Sequence, residues 1–145
     1  MARRDDFHFT VRHALEKDCW TITDDPLLLV FEDMNLCADL GAELALGAEK
    51  AGLKIAIEVK DFDNPSAGNE LQKLMGQMQL YQWALDDQEP DRDLFLAVSQ
   101  SVYDTLFQRP SFQRVVQHNG IKLLIFDGNQ EVILQWIKPQ STQTS

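Results

Sequence analysis

Leu53-Lys54-Ile55-Ala56-Ile57-Glu58-Val59-Lys60 is the plainest strand pattern in the chain. Ile55, Ile57 and Val59 alternate onto one face, and Lys54, Ala56, Glu58 and Lys60 onto the other. Glu58 and Lys60 therefore project from the same face. Charge on a sheet face is costly unless it is paired or binds an ion. Upstream, Leu36-Cys37-Ala38-Asp39-Leu40 reads as another strand with a carboxylate in it. If the two strands are neighbours, Asp39 meets Glu58. Two carboxylates at one point repel each other and offer hard oxygens to Mg²⁺ or Mn²⁺. The backbone carbonyl of Val59 is the expected third ligand. A cation there would polarise a phosphate ester and acidify a bound water. Lys60 would orient that water or stabilise developing negative charge. The same residues also fit a plainer account. Glu58 and Lys60 would then be a solvated pair, and Asp39 a strand end bonded to the turn at Gly41.

Working outward, residues 7–17 read as a helix with Phe7, Val11, Ala14 and Leu15 on one side. Trp20 to Thr23 and Leu27 to Phe31 read as strands separated by the Asp24-Asp25-Pro26 turn. Residues 43–50 are ambiguous between helix and other structure. After the polar loop 61–68, Asn69 with Gln72 suggests a capped helix running to about Asp87. Its buried stripe is Leu71, Leu74, Met75, Met78, Tyr81 and Leu85, with Leu80 and Trp83 on the other side. Gln77 and Tyr81 share one flank of this helix and are candidates to face Glu58 and Lys60. Core packing for Tyr81 and a boundary position for Gln77 are the plain alternatives. Leu94 to Val98 is an apolar strand. Two helices broken at Pro110 follow, then strands 121–126 and 131–137 around Asp127-Gly128-Asn129. The whole is an α/β fold, a mixed central sheet flanked by helices. Its core order is helix, three strands, helix, strand, with C-terminal helices and strands added. Residues 1–138 form one domain and 139–145 a disordered polar tail.

Composition sets limits on function. The chain has 145 residues, 44% of them hydrophobic, which suits one globular domain. No apolar run approaches the roughly 18 residues of a membrane span. The acidic start lacks the apolar core of a signal peptide, so a cytoplasmic protein is expected. The net charge is −10. Phosphate neutralisation by Lys and Arg supplies most non-specific DNA affinity, so this chain alone is a poor DNA binder. Cys19 and Cys37 read as small buried hydrophobes. His8, His13 and His118 read as surface or cap residues, and the three tryptophans as core or interface. Glu43 and Glu49 are further acidic candidates, with a solvated face favoured for Glu49. Glycine-rich phosphate loops, HExxH and GxSxG are absent.

Asp39, Glu58-Val59-Lys60 and Gln77-x3-Tyr81 together resemble the restriction-endonuclease-like PD-(D/E)XK superfamily, in its branch with a QxxxY helix. More specifically, the chain resembles the XisH family, the fdxN element excision controlling factors. The matching stretches include Phe7-His8, Trp20 through Pro26, Asp39 through Glu43 and Lys54 through Lys60. They continue with Gly76-Gln77, Glu89 through Arg92, Leu94 through Val98, Leu123 through Asp127 and Trp136-Ile137. Two departures stand out: the family pattern favours Gly at Cys19 and Ser at Asp61. The resemblance implies an accessory role in programmed DNA-element excision during cell differentiation, as in heterocysts. Such a factor would act with a recombinase and a small XisI-like partner, engaging DNA within that complex. The rival expectation is an active Mg²⁺-dependent endonuclease using Asp39, Glu58, Lys60, Gln77 and Tyr81. A homo-oligomer stays open.

Overall fold

The computed structural model describes residues 7–48, 52–63 and 65–139. In chain order the elements are α1 (His8–Lys17), β1 (Thr21–Asp24), β2 (Leu27–Phe31), β3 (Met34–Ala38), β4 (Leu40–Leu44) and β5 (Leu53–Val59). There follow α2 (Ala67–Gln88), β6 (Arg92–Ser99), α3 (Gln100–Thr105) and a 3-10 turn (Leu106–Gln108). α4 (Pro110–Asn119), β7 (Lys122–Asp127) and β8 (Val132–Ile137) complete the fold. Six strands form one sheet in the order β1-β4-β5-β6-β7-β8. The pairs β5/β6 and β6/β7 are parallel, and the outer pairs are antiparallel. Each parallel step needs a crossover, supplied by α2 and then by α3 with α4.

The alternation along β5 sorts the sheet into two apolar layers. Ile55, Ile57 and Val59 pack with Val11, Leu15, Trp20, Phe95 and Phe126 on the α1 side. Ala56 packs with Leu74, Met78, Tyr81, Leu96 and Phe112 on the α2 side. Glu58 shares the parity of Ala56, so it points toward α2. No helix among the described residues is long and apolar enough to cross a membrane.

The stretch expected as one strand, residues 36–40, is two. β3 pairs with β2 in a separate two-stranded sheet against α2, while β4 enters the main sheet between β1 and β5. The joint is Asp39. A single strand cannot serve both sheets, so the chain turns there and the Asp39 side chain takes over a backbone amide of β5. β4 runs on to Leu44, which resolves the first residues of the ambiguous stretch as strand. Close packing explains the small residues in β4, since a Cβ on Gly41 would lie 3.0 Å from Asp24 Oδ1 and 3.2 Å from Arg92 Nη1.

Other expectations need correction. α2 begins earlier than expected, with Ser66 at the N-cap position, so Asn69 already lies inside the first turn. Both cysteines are exposed. Cys19, just past the Asp18 C-cap of α1, has φ +72°, a left-handed conformation that glycine adopts without steric cost. Trp20 is buried and meets Trp136 at 5.6 Å between ring centroids. Trp83 is half-exposed and covers Phe31 of the β2–β3 hairpin at 5.5 Å. That contact supplies a second cover for α2. Residues 140–145 of the expected tail, and Glu49, lie outside the described residues.

Candidate functional site

The antiparallel register pairs Leu40 with Ile57, which sets Asp39 level with Glu58 one step further along the ladder. Asp39 Oδ2 accepts the Val59 amide hydrogen at 2.8 Å. The carboxylate is thereby pinned across the end of β5 beside Glu58. Glu58 is only 9% exposed, and its Oε1 is buried without a hydrogen-bond partner. Its pKa is pushed from the ordinary 4.5 up to about 8, first by burial and then by the negative charge of Asp39. The Asp39 amide, the Tyr81 hydroxyl and the Lys60 ammonium offset part of this rise.

Tyr81 reaches the pair from α2. Its hydroxyl donates to the Cys37 carbonyl at 2.9 Å. Burial, followed by Glu58 and Asp39, holds the tyrosine hydroxyl protonated well above its usual range. Lys60 follows the last residue of β5, and its amide still bonds to the Ala97 carbonyl at 3.1 Å. Its ammonium lies 2.9 Å from Glu70 Oε2, from the first turn of α2.

Asp39, Glu58, Lys60 and Tyr81 therefore come together as the pattern implied. Val59 contributes its amide to Asp39. Gln77 is exposed one turn before Tyr81, outside this set of contacts. Glu43 pairs in register with Lys54 toward the far end of β4. Among the described residues no three His, Cys, Asp or Glu side chains group closely enough to hold a metal. The protein's own side-chain donors for a cation are thus two carboxylates. The orphaned, buried Glu58 Oε1 beside Asp39 is the feature that fits a hard cation.

Three participants escaped the sequence reading. His8 is fully buried, where a surface or cap role was expected. Its Nε2 lies 2.8 Å from Asp25 Oδ1, and Arg12 Nη1 donates to Asp25 Oδ2 at 2.6 Å. His8 Nδ1 faces Asp39 Oδ1 at 3.9 Å. The signal was present: His8, Val11 and Leu15 fall at i, i+3 and i+7, on the buried stripe of α1. Glu70 likewise shares the α2 flank of Tyr81, eleven residues on. Asp25 looked like mere turn chemistry. Beyond Lys60, a cleft of about 690 Å³ carries Asp61, Asp63, Asp104 and Asp127 in its lining.

Fold and site together define an α/β domain whose mixed sheet holds a buried carboxyl, Glu58, beside the partly exposed Asp39 at the end of its central strands. The family model for XisH protein matches residues 1–134, and the chain belongs to the XisH family. No curated protein sequence matches it. Two solved structures are similar. An XisH family protein from Nostoc punctiforme PCC 73102 is 42% identical over 92% of this chain and 99% of that one, with a TM-score of 0.82. An fdxN element excision controlling factor protein from Anabaena variabilis is 44% identical over the same shares, also with a TM-score of 0.82.

Proposed function

We propose that this chain is a controlling factor in programmed, site-specific excision of a DNA element, built on a restriction-endonuclease-like scaffold. It acts with a recombinase and a small XisI-like partner, and it engages DNA within that complex. The 44% identity to an fdxN element excision controlling factor supports this reading. The observation that carries the dependence on a partner is the charge around the site. Lys60 is already held by Glu70, and four aspartates line the neighbouring cleft. Among the described residues, phosphates approaching that end of the sheet meet like charge, which favours positive charge supplied by a partner protein or a cation.

A second reading, a Mg²⁺- or Mn²⁺-dependent endonuclease of the PD-(D/E)XK type, is favoured by the orphaned Glu58 Oε1. Asp39, Glu58 and the Val59 carbonyl would hold the cation, which supplies Lewis acidity toward a phosphate and a bound water. Lys60, released from Glu70, would donate to a non-bridging phosphate oxygen. Gln77 and Tyr81 would position substrate.

One assay separates the two readings. Supercoiled plasmid is incubated with Mg²⁺ or Mn²⁺ and the protein, with and without the XisI-like partner. Under the first reading the chain binds its partner and leaves the plasmid intact. Metal-dependent nicking by the wild type that disappears in Lys60→Ala would establish the second instead.

A further inference from the structure

We propose that the outer face of the β2–β3 hairpin is the docking surface for a basic partner protein that brings an apolar face to it. The inference rests on the reading of this chain as a partner-dependent factor. It starts from the sequence of β2, Leu27-Leu28-Leu29-Val30-Phe31, which has no polar residue. An antiparallel ribbon with one solvated face alternates apolar with polar, whereas a continuous apolar run fits a strand covered on both faces. The structure covers one face. Leu27 and Leu29 are buried in the α2-side core, while Leu28 is 71% exposed and Val30 47%. Across the ribbon the register sets Cys37 opposite Leu28 and Asn35 opposite Val30, and both are exposed. Met34 and Trp83, also exposed, adjoin Phe31 near the turn. Half of the large apolar side chains exposed among the described residues are therefore on this hairpin or against it. An apolar surface gathered in one place marks a contact site.

The edges of the ribbon are partly taken. Gln88 Oε1 accepts the Val30 amide hydrogen, and the Cys37 carbonyl accepts the Tyr81 hydroxyl. A partner therefore packs on the face rather than adding a strand. The surroundings decide its charge. Residues 18–48, which include the hairpin, and residues 74–91, from α2 into the following turn, contain no Lys, Arg or His. Glu32 and Asp33 form the hairpin turn, and Asp86 and Asp87 precede Gln88 in α2. An apolar centre with a negative rim is complementary to an apolar face rimmed by Lys and Arg. A second copy of this chain would bring the same acidic rim and a net charge of −10 against it. The chain's own remaining segments offer little to bury the face: 140–145 are polar throughout, and 1–6 hold one large apolar side chain, Met1. The place also suits the role. Asp39 follows directly on β3, so a basic protein on this face stands beside the carboxylates that repel phosphate.

The test is titration calorimetry of the full chain with the XisI-like partner, at low and at high salt. Wild type is expected to bind, and more weakly as salt rises. Leu28→Ser should weaken binding about 10-fold or more. Glu32→Gln combined with Asp33→Asn should weaken it about 2- to 5-fold and flatten the salt dependence. Leu134→Ser, on exposed β8, should bind as wild type does. Should Leu28→Ser fail to fold by circular dichroism, the near-isosteric Val30→Thr carries the comparison. Amide hydrogen exchange in β2 and β3 should slow when the partner is added. Wild-type affinity in Leu28→Ser and Val30→Thr, with hairpin exchange unchanged, overturns the docking surface and leaves the partner reading standing. Binding that holds or strengthens as salt rises overturns the basic partner. A wild-type dimer in sedimentation that Leu28→Ser dissociates makes a second copy the occupant and overturns the proposal. No binding by wild type overturns both the proposal and the partner reading.

Discussion

At the start of β6, Arg92 is 5% exposed and fully matched. Its Nη1 donates to the Ile55 carbonyl at 2.9 Å, while Nε and Nη2 meet Glu89 Oε2 at 3.0 and 2.9 Å. Beside it, burial by itself would raise the pKa of Asp93. The hydrogen bond and charge of Lys122, with Lys138 behind it, outweigh that burial and hold the carboxyl below its usual range. Glu58 and Asp39 lie at the other end of the same central strands. There two carboxylates share one small space, and the nearby cation, Lys60, already has Glu70 as a partner. One end of the sheet pairs its charged groups, and the other buries a carboxyl oxygen of Glu58 with no hydrogen-bond partner. Charges that serve only the fold are normally matched. A buried carboxyl oxygen without a hydrogen-bond partner, such as Glu58 Oε1, lowers stability, so it is a candidate for function on physical grounds.

The largest expected effect breaks the matched end. Arg92→Ala strands the Ile55 carbonyl and the Glu89 carboxylate, and should cost about 3–5 kcal/mol. Urea unfolding measures this, and a loss below about 1 kcal/mol would mean that the Arg92 end is not the structural one. The next effect sharpens the Glu58 end. The folded-state pKa of Glu58 lies above its ordinary value, so the native state holds a proton that the unfolded chain releases. Stability is therefore fully present below about pH 4.5 and is lost as pH rises toward about 8. The shift sets an upper bound on the order of 5 kcal/mol for that loss. Glu58→Gln should flatten the pH profile across this window, as read from unfolding midpoints at pH 5 and pH 8 without divalent cation. A mutant profile as steep as the wild type would assign the pH dependence elsewhere. The smallest effect tests the rim of the matched end. Lys138 is 60% exposed and pairs with Asp93 at 3.4 Å, a geometry that solvent screens. Lys138→Ala should change stability by less than about 0.5 kcal/mol.

Most of the candidate site was legible because its residues break a local rule. Glu58 stands where the strand alternation buries it, and Tyr81 falls on the buried stripe of α2. Asp39 was legible as an anomaly, but its real position was not. The sequence reading left it inside one strand, whereas it marks the passage from the hairpin to the main sheet. His8 and Glu70 were missed because each looks ordinary within its own helix. Cys37 was expected inside and is exposed, because β3 pairs with β2 on a two-stranded sheet that has an outer face.

The amino-acid pattern alone settled most helices and strands, the β3–β4 stretch excepted, and which face of β5 and α2 is apolar. Those choices follow from a period of two or of 3.6 residues, and each is decided within a few positions. Tertiary structure decided which strands are neighbours, and so that Asp39 meets Glu58, that His8 reaches Asp39, and that Glu70 takes Lys60. These are contacts between segments far apart in the chain, and they are fixed by how all the apolar faces are buried at once. No local periodicity records that arrangement.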